Sequence, residues 1–148
     1  MVAERQEAQK SYQRALRVIG RYLDSEPAYH VSVSEVADGF TVRSHSTQRG
    51  SDEVVKHFPW DRLDDLDKYY SGARGLGRRP SRYQAIDRNF PCGHEAALRK
   101  LGSILDEASA SSLSIDEVPN GLDVSYMHPR QGRGTEKFQK VYAPDELC

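Results

Sequence analysis

The chain has 148 residues, 37% of them hydrophobic and 29% charged, with a formal net charge of −1. A hydrophobic share below the usual roughly 45–50% excludes a large core but permits one domain or two small, closely packed subdomains. The near-neutral balance argues against coating nucleic acid by bulk charge, no apolar run approaches the roughly 20 residues that span a bilayer, and two cysteines make no disulfide framework, so a cytoplasmic location and no membrane contact are expected.

The first seven residues include Glu4, Arg5 and Glu7 and lack an apolar signal core. From Tyr12 the pattern turns helical: Tyr12, Leu16, Ile19 and Leu23 fall on one stripe, joined by Ala15 and Tyr22. Gly20 lies inside this pattern, where glycine costs roughly 1 kcal/mol relative to alanine. Close approach of another backbone is expected there to offset the cost. The helix should end near Asp24. Val31-Ser-Val-Ser then alternates as a half-buried strand does, and Asp38-Gly39 predicts a two-residue type I′ turn. The hairpin places Val31, Val33, Glu35, Phe40 and Val42 on one face. A third strand is expected from Glu53 to Phe58, closed by Pro59. A short helix should follow, with Asp61 as its cap and Leu63, Leu66 and Tyr70 on one side.

Glycine, serine and proline mark residues 71–92 as a linker. Its first part, residues 71–83, carries Arg74, Arg78, Arg79 and Arg82 and no acid. Its glycine-rich stretch follows no apolar strand, so a flexible connection is expected rather than a phosphate loop. Cys92-Gly-His94-Glu95 precedes the next helix. A thiol at a helix N-terminus beside an imidazole can be activated, but an ordinary helix-start cysteine is the plainer reading. Metal binding through Cys92 and His94 needs two further ligands that nothing nominates, so no metal or other cofactor is expected.

Ala97, Leu98, Leu101, Ile104 and Leu105 then repeat the helical stripe, with Gly102 inside it. Leu113-Ser-Ile-Asp repeats the strand, Asn120-Gly121 the turn, and Lys137–Tyr142 the third strand. The likeness is more than qualitative. Residues 15–43 align without a gap on residues 97–125 at an offset of 82, with twelve of 29 positions identical. Arg49-Gly-Ser-Asp also resembles Arg133-Gly-Thr-Glu after a two-residue shift. The expected fold is therefore α+β: an internally duplicated helix–β-hairpin(–strand) unit forming antiparallel sheet, with the long helices covering one face. Residues 11–70 form the first repeat, 71–92 the linker, and 93–148 a second repeat lacking the final helix.

Recognisable catalytic motifs are missing. Glu35 and Glu117 recur on the apolar hairpin face, where an unpaired charge is costly. Counting back along helix and strand brings Glu35 opposite Arg17 and Glu117 opposite Arg99, so two equivalent structural ion pairs are expected; a pair of site carboxylates is the alternative. The function expected is non-catalytic binding or scaffolding through contacts with another protein, with self-association a further option. The alternative is a nucleic-acid-binding protein that uses Arg74, Arg78, Arg79, Arg82, Arg130 and Arg133, with Tyr83 stacking on bases. An enzyme using Glu35 and Glu117, or Cys92, is the least favoured reading.

Overall fold

The computed structural model describes residues 11–25, 28–45, 53–75, 93–129 and 134–147. Helix α1 (Tyr12–Ser25) leads into strands β1 (Tyr29–Val36), β2 (Gly39–His45) and β3 (Glu53–Pro59), a 3-10 turn (Trp60–Arg62) and helix α2 (Leu63–Gly75). Helix α3 (His94–Glu107) then precedes β4 (Ser111–Val118), β5 (Gly121–Pro129), β6 (Thr135–Tyr142) and a single turn, α4 (Pro144–Leu147). The protein is α+β, with four helices among the described residues and one six-stranded sheet in the order β3-β2-β1-β4-β5-β6.

All the pairings are antiparallel. The two hairpins meet at β1 and β4, where Val33 pairs with Ile115, flanked by Ser32 with Asp116 and Ser34 with Ser114. Val33 and Ile115 are themselves 82 residues apart (115 − 33), so the join is centred on positions that the sequence alignment equates. Alternate strand residues supply the core: Val31, Val33, Phe40, Val42 and Phe58 from one hairpin and its third strand, and Leu113, Ile115, Leu122, Val124 and Tyr142 from the other. They form one cluster with Leu16, Ile19 and Leu23 of α1 and Leu98, Leu101 and Leu105 of α3. The alternation is the physical signature of strands with one packed face.

Local geometry departs from expectation in four places. The hairpin turns fall one residue early, on Ala37–Asp38 and Pro119–Asn120, with Val36 paired to Gly39 and Val118 to Gly121. A type I′ turn needs positive φ at both central residues, and Pro119 is locked at negative φ. Asp61 caps nothing; it sits inside the 3-10 turn, whose preceding residue is Pro59. Helix α2 continues through Ser71 to Gly75, five residues into the expected linker, because Ser, Ala and Arg prolong a helix tolerably. Finally, α4 supplies one turn where no helix was expected, with Leu147 buried.

The strands also carry bulges that the alternating pattern hides. The register slips between Tyr29 and Ser32, and again between Ser111 and Ser114. His30 (φ 55) and Ser112 (φ 53) sit in the left-handed region at these two points. No helix among the described residues is long and apolar enough to cross a membrane.

Candidate functional site

The acids that recur along the sequence converge on the interface between the two hairpin–helix halves. Asp24, in the last turn of α1, reaches the start of α3: Oδ1 accepts from the His94 amide at 2.8 Å and Oδ2 from the Glu95 amide at 3.0 Å. Asp106, in the last turn of α3, reaches the start of α1: Oδ1 accepts from the Tyr12 amide at 2.8 Å and Oδ2 from the Gln13 amide at 3.1 Å. Each helix is therefore capped by a carboxylate from the C-terminal turn of the other. The preceding residue of α3, Gly93, supplies no side-chain cap of its own. Asp24 is 7% exposed and also lies 3.3 Å from the Nδ1 of buried His94. Burial alone would raise the Asp24 carboxyl, but His94 and the two amides hold it below its ordinary range.

This exchange requires the helices to touch. A Cβ added at Gly20 would stand 2.5 Å from the Glu95 Cα, and one added at Gly102 would strike the Gln13 backbone as hard. The expected close approach is thus with the other helix, at both glycines.

Glu35 and Glu117 are used in the same reciprocal way. Glu35 Oε1 accepts from the Leu113 amide at 3.0 Å, and Glu117 Oε1 from the Val31 amide at 3.2 Å. Leu113 and Val31 each follow a bulged residue, His30 or Ser112, so each glutamate satisfies an amide at the other half's bulge. The Tyr12 hydroxyl also donates to Glu35. Burial and this carboxylate raise the Tyr12 hydroxyl well above the ordinary phenolic range.

These partners replace the ion pair expected between Arg17 and Glu35. Arg17 instead meets Asp67 of α2 at 3.4 Å. Arg99, expected to meet Glu117, lies with Arg17 on the border of an open cleft of about 410 Å³, which Ser11, Gln13 and Arg14 also line. The helix–strand count placed the residues at the right height but could not tell which side of the helix each arginine occupies. Both arginines flank the apolar stripe on its solvent side.

The remaining sequence candidates fall elsewhere. Arg78, Arg79, Arg82, Tyr83, Arg130, Arg133 and Cys92 lie outside the described residues, as does the Arg74 side chain. His94 is buried against Asp24 rather than presented to solvent. No group of three metal-ligating side chains is present among the described residues. The reciprocal caps were missed by sequence reasoning, though a signal existed. An acid in the last turn of a helix opposes the macrodipole, and finding one at matched positions in both helices asks for a partner. No protein-family model, curated protein or solved structure matches this chain.

Proposed function

We propose that the chain is two copies of one helix–hairpin–strand unit, joined as a pseudo-symmetric body whose long helices cover one face of the sheet. We propose further that it acts as a non-catalytic binding or scaffolding protein through contacts with another protein. The duplication is supported by recurrence at a single offset. The caps, the helix-crossing glycines, the bulges and the bulge-binding glutamates all stand 82 residues from their counterparts. The same recurrence argues against Glu35 and Glu117 as reactive groups, because one oxygen of each is engaged by a backbone amide of the other half.

One observation carries the binding reading: an aromatic ledge in the second half. In the first half, α2 runs for 13 residues and lays Tyr70 against Tyr22 and Phe58, with ring centroids 5.3 and 6.3 Å apart. In the second half Phe138 of β6 is 37% exposed, packed beside Tyr126 and His128 of β5. The occupant that fits is an amphipathic helix of a partner protein, with apolar residues spaced as Leu63, Leu66 and Tyr70 are in α2.

The test is site-specific crosslinking. A photoreactive phenylalanine analogue in place of Phe138 should give one discrete adduct with a second protein. Excess unmodified chain should suppress that adduct, and excess Phe138→Glu chain should not. An adduct between two copies of this chain would replace the reading with self-association. A nucleic-acid adduct would favour the arginine-rich segments instead. Absence of any adduct would remove the ledge as a binding surface.

A further inference from the structure

The cleft over the helix crossing has a concentration of positive charge that the fold neutralises only in part. Among the described residues its border holds three guanidinium groups, from Arg14, Arg17 and Arg99, with Ser11 and Gln13 and no carboxylate. The acids that reach this border are exposed or shared with other groups. Asp64 pairs with Arg14 from an exposed position, with 77% of its side chain in solvent. Asp67 is shared: its closer contact is with Arg21, and Arg17 receives only the 3.4 Å contact. Asp106 accepts from Ser11 Oγ as well as from the two amides it caps. Arg99 has no hydrogen-bond or ion-pair partner among the described residues, and the Arg17 Nε is buried without an acceptor.

Arg17 and Arg99 share this cleft because Gly20 and Gly102 let α1 and α3 cross in backbone contact. Two like charges on a common border repel, and the repulsion is relieved by an anion placed between them. Guanidinium is planar and offers paired N–H donors that match the oxygens of a phosphate group, while an isolated halide would use only one donor of each. The Gln13 side-chain amide adds a neutral donor. A cleft of about 410 Å³ has room for more than a bare phosphate ion and falls in the usual range of small-molecule sites, about 300–1,000 Å³.

We propose that this cleft binds the phosphate group of a small phosphomonoester, with Arg17 and Arg99 as the principal ligands and Arg14 as a third. The site is independent of the aromatic ledge, which lies on β5 and β6, so either can fail without the other.

The experiment is a titration of the full chain with inorganic phosphate and with phenyl phosphate, at low ionic strength because the contacts are screened by salt. Binding is followed by the guanidinium Nε–H and backbone amide resonances of Arg14, Arg17 and Arg99. Saturable shifts confined to the cleft are expected, with phenyl phosphate tighter than phosphate. Equal affinity would identify free phosphate as the ligand and overturn the monoester assignment. Arg99→Gln removes an exposed charge without a structural partner and should weaken binding about tenfold, the loss of one charge-assisted contact worth roughly 1.4 kcal/mol. Arg62→Gln, at an exposed arginine of the 3-10 turn, serves as the control and should leave binding unchanged. No saturable shift, or equal effects of the two substitutions, would overturn the proposal.

Discussion

Replacing Gly20 with alanine sets two known effects against each other. Alanine is the better helix former by roughly 1 kcal/mol, so in an isolated helix the substitution stabilises. Here the new Cβ stands 2.5 Å from the Glu95 Cα and 2.8 Å from both the Glu95 nitrogen and the His94 carbonyl oxygen. All three are backbone atoms and cannot rotate aside. Restoring ordinary contact, roughly 3.5–4 Å between carbons, requires α1 and α3 to separate by about 1 Å. Overpacking of this kind costs about 1–3 kcal/mol. The same movement stretches the Asp24 hydrogen bonds at 2.8 and 3.0 Å, which contribute about another 1–2 kcal/mol as a helix cap. The clash therefore outweighs the propensity gain, and a net destabilisation of about 1–4 kcal/mol is expected. For a chain of this size that lowers Tm by roughly 3–13 °C. Urea unfolding of Gly20→Ala beside the parent chain measures it. A variant that melts higher, or that shows no loss, would refute the claim that backbone contact at this glycine holds the helices together.

Two other outcomes are expected. Glu35→Gln keeps an acceptor for the Leu113 amide and the Tyr12 hydroxyl and should cost about 1 kcal/mol or less, whereas Glu35→Leu strands both donors and should cost about 2–4 kcal/mol; equal losses in denaturant titration would show that the hydrogen bonds contribute little. The Asp24 carboxyl is held below its ordinary range, so its contribution is complete above the unfolded value near 3.9 and is lost as pH falls below it. Asp24→Asn should therefore lower stability at neutral pH and flatten the acid limb of a stability–pH curve; an unchanged acid limb would place the titrating group elsewhere.

The elements themselves were legible because their periods are clean. The stripe from Tyr12 to Leu23 and the alternation from Val31 to Phe40 each point to one conformation, and the later segments match them. What the periods do not encode is how units meet. The central join, Val33 against Ile115, depends on a pairing between distant strands that no local pattern specifies. The bulges at His30 and Ser112 carry no glycine, asparagine or aspartate, the residues that most plainly mark positive φ in a sequence. In the second hairpin the turn shift has a readable cause in Pro119, beside the stronger Asn-Gly signal. Glu35 was correctly read as needing a partner. The partner proved to be backbone, and a count along helix and strand can only nominate side chains.

The reciprocal caps bear on how this chain reaches its folded state. The Tyr12 amide and its Asp106 acceptor are 94 residues apart, and Glu35 reaches across 78 residues to Leu113. Closing a loop of that length costs roughly 4 kcal/mol in chain entropy before any bond forms. Neither long helix receives its cap until the other half of the chain has arrived, so formation of the two helices and docking of the halves are coupled, and folding is slowed by its dependence on distant contacts. The same bonds form equally well between two chains as within one. At high concentration an exchanged pair, each chain's first half docked on its neighbour's second half, competes with the monomer at little enthalpic disadvantage.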